Sequence, residues 1–459
     1  MKNEQFEPRR GKSWTPVCDW VERYAAENPV RMHMPGHKGR VIIGPERLDI
    51  TEIDGADELF RSRGILRESE ENAAALFGAA RTVYSAEGSS LAIRAMLYLA
   101  ALTAERKNGK LPPLLAGRNA HRALMTAAAL LDLEVEWLLP GAEEDLLSCT
   151  VTPEMLEEKL TGGRYLAVYL TSPDYLGRMA DIAGAAEVCR RHGVPLLADN
   201  AHGAYLRFLS PDLHPLTLGA DACCDSAHKT LPCLTGAAWL HLSERAPEAW
   251  RELAEEAMSL FGSTSPSWLI LQSLDRVNSL LAGDYPQKLR ETAKRLEQTK
   301  KALAEAGWEY VGDEPMKLTL RTAPRGWTGT DLARRLRDEG IVCEFADLDH
   351  VVLMPSGETE EEDWARLEAA LRAVPRRETR TDRMPGLPRP ERVCSIRAAM
   401  LSPGPVLPVM DAVGRVLADA AVSCPPAVPI VAAGERITRE AAACMAAWGI
   451  TECRVTADL

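Results

Sequence analysis

The chain has 459 residues, 46% of them hydrophobic, so it is long enough for two or three domains of about 150 residues with sizeable cores. This composition argues against a disordered or fibrous protein. Its 54 Lys and Arg against 66 Asp and Glu give a net charge of -12, so no overall positive field favours nucleic acid or an anionic membrane.

The first residues carry charges where a secretory signal has an apolar stretch, and no later segment reaches about 18 uncharged apolar residues. We therefore expect a cytoplasmic protein. The 11 cysteines lack the spacing of a zinc site, and Pro35 and Gly36 interrupt the pair His33 and His37. We accordingly expect reduced cysteines and no bound metal.

Helical patterns alternate with short apolar runs from Glu68 to about Leu242, which is typical of βαβ units and a mainly parallel sheet. The apolar runs include 165–171, 195–199 and 237–242. Between the first two of these runs, Asp181 is suited to cap a helix and Gly193 to end it. The next strand is expected to end on Asp199.

A long charged helix is predicted from Tyr285 to Gly307. A βαβ-like unit follows, with a strand at 317–320, a helix capped by Thr330 and a strand within 341–355. The predicted organisation is an N-terminal arm (1–30), a large domain (31–284), a small α/β domain (285–374), a Pro-rich linker (375–390) and a C-terminal module (391–459).

Asp199 and Lys229 are the first candidates for chemistry. Ligands of open α/β sheets bind beyond the carboxyl ends of the strands, where Asp199 is expected. A carboxylate there can keep a pyridine nitrogen protonated. Lys229 lies in the segment between two apolar runs, and partial burial would lower its pKa and free the amine for imine formation.

Two further segments have the character of ligand-binding turns. Gly88, Ser89 and Ser90 precede a helical pattern, so backbone N–H groups and two hydroxyls are expected at a helix start that suits a phosphate, or simply caps the helix. His121 is expected at another turn from strand to helix, where its ring can stack on an aromatic cofactor or form a hydrogen bond in the core.

Five motifs accompany these positions along the chain. They are Met32–Gly39 (MHMPGHKG), Thr171–Gly177 (TSPDYLG), Asp199–Gly203 (DNAHG), Ser226–Lys229 (SAHK) and Ser263–Ser267 (STSPS). In this order they resemble the Orn/Lys/Arg decarboxylase family of fold-type I pyridoxal-phosphate enzymes, in its shorter bacterial form. The resemblance extends over nearly the whole chain.

The resemblance implies a large domain that binds pyridoxal 5′-phosphate, with a mainly parallel sheet, a smaller α/β domain and a C-terminal module. Lys229 would form the imine with the cofactor, Asp199 would pair with its pyridine nitrogen, and His121 would stack on its ring. His202 would lie beside the cofactor. The residues implied to surround the phosphate are Gly88, Ser89, Ser90, Ser226, His228 and, from a neighbouring subunit, Thr264.

The implied reaction is decarboxylation of arginine, lysine or ornithine to the amine and CO2, in polyamine-related metabolism. Lys229 or His121 would return a proton to the substrate carbon. The resemblance also implies a homodimer or a dimer-based oligomer, with Met32–Gly39 along the approach to the active site. Glu344, Asp174 and Asp57 are the candidates to bind the distal cation of the substrate.

Three positions depart from the family's motifs. Glu87 stands where an Asn is expected before Gly88, and its carboxylate would repel a phosphate unless it is turned away or protonated. Asn200 replaces the common Glu of D-E-A-H-G. Asp225 replaces the usual Gln before S-A-H-K, and we expect it to add a negative group near the phosphate.

Two other functions remain open. The first is an aminotransferase or lyase on the same fold, since fold and cofactor do not decide the reaction. An aminotransferase would need an Arg for the substrate carboxylate, and Arg321 and Arg397 are available. The second is a degenerate homologue that binds the cofactor weakly, which the altered phosphate loop suggests.

Overall fold

A computed structural model describes residues 13–141, 144–420 and 427–457. The strands, in chain order, are β1 Arg81–Ser85, β2 Leu114–Gly117, β3 Val135–Leu138, β4 Val168–Thr171, β5 Leu196–Asp199, β6 Ala222–Asp225, β7 Ala238–Leu242, β8 Glu309–Val311, β9 Leu318–Arg321, β10 Phe345–Ala346, β11 His350–Leu353, β12 Val406–Pro408 and β13 Glu452–Arg454.

The helices are α1 Pro16–Glu27, α2 Ile65–Phe77, α3 Ser89–Thr103, α4 Arg122–Leu131, α5 Pro153–Gly162, α6 Ile182–His192, α7 Pro215–Leu218, α8 Ala227–Thr230, α9 Glu248–Ser259, α10 Trp268–Ala282, α11 Tyr285–Glu305, α12 Gly329–Asp338, α13 Glu361–Arg372, α14 Ile396–Met400 and α15 Arg439–Ala447. Short 3₁₀ helices lie at Ala204–Phe208 and Ala323–Arg325. Of the helices in the described ranges, none is both long enough and apolar enough to cross a bilayer.

The described residues form two compact units. The first unit contains the chain up to Thr103 together with Pro195–Arg290, and the second contains Ala104–Val194 and the chain from Glu291 onward. The domain boundaries given above stay a prediction, and the predicted N-terminal arm is described only from Ser13.

The first unit contains four strands in the order β1-β7-β6-β5. Strands β5 and β6 are parallel, with Asp199 opposite Cys224, whereas β7 is antiparallel to both β6 and β1. All residues of these four strands are buried, so the polar residues Thr82, Asp225 and His241 lie in the interior beside the apolar ones. The parallel pair brings the carboxyl ends of β5 and β6 to the same edge.

The second unit contains the parallel strands β4, β2 and β3, with β2 in the middle. Helix α6 follows β4 and has the predicted ends: Asp181 Oδ1 accepts a hydrogen bond from Gly184 N at 2.8 Å, and Gly193 has a φ of 64°. The two predicted caps are therefore confirmed. Glycine suits the last position because it has no Cβ to oppose a left-handed conformation.

The predicted βαβ-like unit is wrong in its strand direction. Strand β11 is antiparallel to β9, and the segment predicted as one strand is a hairpin of β10 and β11. The reason is the tight turn at Asp347, whose Oδ1 accepts hydrogen bonds from the backbone N of Asp349 at 2.7 Å and of His350 at 2.6 Å. The resulting antiparallel sheet has the order β10-β11-β9-β8.

The predicted cap of α12 is also wrong by two residues. Thr328, rather than Thr330, is the N-cap, since its Oγ1 accepts a hydrogen bond from Asp331 N at 3.0 Å. Thr-x-x-Asp is the spacing that this cap requires, because the side chain bonds to the third helical residue. Helix α12 then packs Leu332 and Leu336 into a core that Trp308 and Trp364 share.

Candidate active site

The carboxyl end of β5 presents a buried carboxylate, as predicted. Asp199 is 2% exposed, and its Oδ1 accepts hydrogen bonds from Ala201 N at 3.2 Å and from Cys224 Sγ at 3.5 Å. Burial and the charge of Asp199 raise the pKa of the Cys224 thiol well above its ordinary value, so the thiol stays protonated and donates. Asp199 is thus an oriented acceptor in the interior.

Lys229 and His202 lie together in the first unit. Lys229 Nζ is 3.1 Å from His202 Nε2, and His202 is 7% exposed. An ammonium only donates, so Nε2 of the neutral ring accepts and its proton is on Nδ1. The partial burial considered for Lys229 is not observed, because its side chain is exposed. A carbonyl compound can therefore reach the amine from solvent.

The turn before α3 brings hydroxyl groups to a helix start. Ser226 Oγ donates to Ser89 Oγ at 2.9 Å, and Ser226 is 1% exposed. Gly88 has a φ of 71° and its N–H donates to Gly236 O at 2.8 Å, which fixes the turn. The first N–H groups of a helix lack partners within the helix, so this end suits an anion.

Glu87 is held by a backbone contact with another segment of the first unit. Its side chain is exposed, and Oε1 accepts a hydrogen bond from Ser263 N at 2.5 Å. The next residue, Thr264, is exposed. The Glu87 carboxylate is therefore hydrogen-bonded to the segment that contains Thr264.

His228 donates in a fixed direction. Its Nδ1 is 2.9 Å from Ala237 O, so Nδ1 carries a proton and Nε2 of the neutral ring is an acceptor. Burial lowers the pKa of His228 despite this hydrogen bond, which favours the neutral ring. His228 can donate through Nε2 to a phosphate only when it is protonated, a state that a nearby dianion would favour.

Asp225 has partners that the sequence did not indicate. It is 0% exposed, and its Oδ2 lies 3.0 Å from His214 Nε2 and 3.5 Å from His241 Nε2. Burial alone would raise the pKa of Asp225, but the two histidines hold it well below its ordinary range. Its charge is therefore compensated within the core of the first unit. The one sequence signal was the polar His241 in an apolar run.

His121, in the second unit, occupies the predicted turn between β2 and α4. It is the N-cap of α4, with Nδ1 accepting a hydrogen bond from Ala123 N at 3.1 Å. The neutral ring consequently carries its proton on Nε2. Its side chain is half-buried, so one part of the ring remains accessible.

Two of the three carboxylates considered for the substrate cation already have structural roles. Asp174 is 3% exposed and accepts a hydrogen bond from Ser148 Oγ at 2.6 Å. Asp57 caps the start of α2, where its Oδ2 accepts from Gly64 N at 2.7 Å. Glu344 is exposed and accepts only one described side-chain hydrogen bond, from Tyr175 OH at 2.8 Å. Glu344 is the least committed of the three.

Arg397, considered for an aminotransferase, and the histidines His33 and His37, considered for a metal, each have other contacts. Arg397 donates through Nη1 to Ala129 O at 2.9 Å and to Leu130 O at 3.1 Å, so it holds the end of α4. His33 Nε2 is 2.6 Å from Tyr24 OH, whereas His37 Nε2 is 3.2 Å from Asp49 Oδ2. The two histidines thus have separate partners.

Comparison with known proteins decides the family. Residues 15–313 match the family described as Orn/Lys/Arg decarboxylase, major domain. The chain belongs to the Orn/Lys/Arg decarboxylase family. This confirms the resemblance and the class of enzyme, a pyridoxal-phosphate-dependent amino-acid decarboxylase.

Individual relatives match over most of their length. The chain is 28% identical to an arginine decarboxylase of Bacillus subtilis (strain 168), over 93% of this chain and 92% of the relative. It is 29% identical to an arginine decarboxylase of Halalkalibacterium halodurans, over 92% and 91% of the two chains.

The fold is that of a solved lysine decarboxylase. Lysine decarboxylase A from Pseudomonas aeruginosa superimposes with a TM-score of 0.77 at 18% identity, covering 94% of this chain and 75% of that chain. The predicted fold class, a fold-type I large domain with a mainly parallel sheet, is confirmed.

Proposed function

We propose that this protein decarboxylates arginine to its amine and CO2 with pyridoxal 5′-phosphate bound at Lys229, as a step in polyamine-related metabolism. The observation that carries the proposal is the convergence of Asp199, His202 and Lys229 at the ends of β5 and β6. Arginine is chosen over lysine and ornithine because arginine decarboxylases are among the relatives that match over nine-tenths of their length.

The donor set of the first unit fits pyridoxal phosphate. Ser89 and Ser226 hydroxyls lie 2.9 Å apart at the start of α3, where a phosphate would find donors. The buried Asp199 can accept from a protonated ring nitrogen, and the exposed Lys229 can bind the carbonyl carbon. Gly88, Ser90, His228 and, across a subunit contact, Thr264 complete the proposed phosphate site.

When bound, the cofactor supplies an electron sink for the pair released as the Cα–carboxylate bond breaks. The protein residues keep that sink effective and supply protons. Asp199 favours the protonated ring nitrogen through its negative charge. Because Lys229 Nζ is 3.1 Å from His202 Nε2, a proton can pass between them before Lys229 delivers it to the substrate carbon.

A homodimer follows from the same proposal. The segment 30–43 contains the MHMPGHKG motif, and its large apolar side chains are strongly exposed in the isolated chain. They are Val30 (84%), Met32 (89%), Met34 (65%), Val41 (72%), Ile42 (75%) and Ile43 (86%). A concentration of exposed apolar side chains in one segment favours an interface between subunits, and a second copy of this chain is the proposed partner.

The test is an absorbance spectrum of the protein with pyridoxal phosphate, followed by CO2 release from arginine, lysine and ornithine. We expect a visible band and fastest release from arginine, at least about tenfold above the other two substrates because one site must match the length and charge of the side chain. Lys229→Ala should abolish both signals while the far-ultraviolet circular dichroism is retained.

Each alternative has its own result. A visible band without CO2 would indicate an aminotransferase or lyase, and absence of a band in the wild-type protein would indicate a degenerate homologue. Lys159→Ala is the control for loss of a lysine, since Lys159 forms a partly exposed ion pair with Glu136. Its spectrum and turnover should match those of the wild type.

A further inference from the structure

Two buried side chains bridge the ends of β5 and β6 beside the candidate site. Asn200 follows Asp199, Asp225 precedes Ser226, and both bridging residues are 0% exposed. Asn200 Nδ2 donates to Asp225 Oδ1 at 2.7 Å, while Asn200 N donates to Cys224 O at 3.0 Å. The hydrogen bond between Asn200 and Asp225 therefore extends the pairing of β5 and β6 by one residue pair beyond Asp199 and Cys224.

Asp225 is itself held from the opposite side. His214 Nε2 donates to its Oδ2 at 3.0 Å, and His241 Nε2 lies 3.5 Å from the same oxygen. His241 is fixed in turn by Thr82 Oγ1, 2.8 Å from its Nδ1. A carboxylate so surrounded is ionised and can only accept, so Asn200 must direct its NH2 group towards it.

The orientation of Asn200 also depends on Gly203, the residue after His202. A Cβ atom at Gly203 would lie 2.1 Å from Asn200 Oδ1. The backbone conformation of Gly203 is an ordinary one, with a φ of -120°. The glycine is thus required for space, which links the amide orientation to the loop that carries His202.

We propose that Asn200 and Asp225 form a positioning clamp that holds Asp199 and His202 in register with Ser226 and Lys229. The inference rests on the proposed function, since it concerns how that site is kept assembled. Neither clamp residue touches a reacting atom. In the family's motifs a Glu stands at the position of Asn200 and a Gln at the position of Asp225. In this chain the acid and the amide have therefore exchanged sides of the hydrogen bond.

The exchange can be reversed by mutation. Asn200→Asp alone would make two buried carboxylates face each other, which forces one to take a proton or to move apart. Asn200→Asp combined with Asp225→Asn returns one acid and one amide, and the new amide can still accept from His214. We expect the double variant to regain what Asn200→Asp loses.

The readouts are kcat at saturating cofactor, the affinity of the apoprotein for pyridoxal phosphate, and the melting temperature of the apoprotein. For Asn200→Asp we expect kcat and cofactor affinity to fall about tenfold or more, because a loss of register displaces the groups of both strands. In the double variant both should return to within about threefold of the wild type, the non-additivity expected of residues in contact.

Asn72→Asp is the matched control. Asn72 is 8% exposed in the same unit, and its Nδ2 donates to Ser13 O at 2.9 Å. This variant should lower the melting temperature without changing kcat at saturating cofactor.

The single variant Asp225→Asn is measured as well. The proposal is overturned if Asn200→Asp lowers only the melting temperature, or if the double variant loses the sum of the effects of Asn200→Asp and Asp225→Asn. A wild-type protein without visible absorbance or CO2 release would instead overturn the proposed function. In that case the positioning role would fail as well. The melting temperatures of the single and double variants would still show whether Asn200 and Asp225 are hydrogen-bonded.

Discussion

At the scale of single residues, the first unit buries several carboxylates among its polar groups. Asp199, Asp225 and Asp275 are each at most 2% exposed. They differ in their surroundings: Asp225 faces two histidines, whereas Asp275 accepts from Cys18 N at 2.9 Å and from Ser69 Oγ at 2.5 Å. An acid without a cationic partner pays a desolvation cost when it ionises.

Asp275 should make folding stability depend on pH. Burial raises its pKa from 3.8 to about 6, although hydrogen bonds from Cys18 and Ser69 act in the opposite direction. The folded protein then binds a proton that the unfolded chain has lost, so this stabilisation is complete below about pH 4 and is lost as the pH rises through about 6. The loss is at most about 3 kcal/mol for the single group.

Asp275→Asn should remove this dependence, since an amide does not titrate; its oxygen can accept from Cys18 N while its NH2 group donates to Ser69 Oγ. Between about pH 5 and about pH 7.5, urea unfolding should show the wild type losing about 1.4 kcal/mol more stability than the variant. Asp54→Asn, at another exposed aspartate of the first unit, serves as the control and should show no such difference from the wild type. Parallel curves for wild type and Asp275→Asn would contradict the assignment.

At the scale of elements, the second unit explains why α12 begins where it does. The strand β9 is followed by a 3₁₀ helix, and the chain then enters α12 through Thr328. Thr328 Oγ1 accepts from Asp331 N at 3.0 Å and lies 3.1 Å from Thr330 Oγ1. Two threonines two residues apart thus have different roles, and only one satisfies a backbone donor.

Thr328→Ala should destabilise the protein by about 1 kcal/mol, because the hydrogen bond to the first turn of α12 is lost. Thr330→Ala should change the free energy of unfolding by less than about 0.5 kcal/mol, as expected for an exposed side chain without a cap role. Urea denaturation of the two variants side by side is the measurement. Equal losses, or a larger loss for Thr330→Ala, would contradict the cap found in the structure.

At the scale of the whole molecule, self-association is the property most directly open to experiment. The apolar side chains of segment 30–43 stand in solvent, and Ile43 alone is 86% exposed. In a dimer these side chains would be covered, and a charge placed among them would be buried without a partner. Assembly should therefore depend on this segment.

Sedimentation velocity should detect a wild-type dimer and a weakened association, by roughly tenfold or more, for Ile43→Glu because an anchor is lost and a carboxylate is desolvated. Val342→Glu is the control: Val342 is 76% exposed in the second unit, outside segment 30–43. Its association should equal that of the wild type. A monomeric wild type, or equal effects of both variants, would refute the proposed interface.

The sequence was sufficient for features that depend on neighbours along the chain. Apolar runs ending in Asp199, the caps Asp181 and Gly193, and the turn with His121 all follow from local hydrogen bonding and from strand and helix periodicity. The ordered motifs were enough to identify the family, because several independent segments of the chain carry it.

Only the tertiary structure decided which distant residues meet. His241 lies near Asp225 because antiparallel pairing of β6 and β7 brings Cys223 opposite His241, and His214 contacts the same carboxylate from the start of α7. The antiparallel course of β9 and β11 was likewise decided by the turn at Asp347. The contact between Asn200 and Asp225 belongs to the same class, since residues at the ends of different strands become neighbours only when the strands pair.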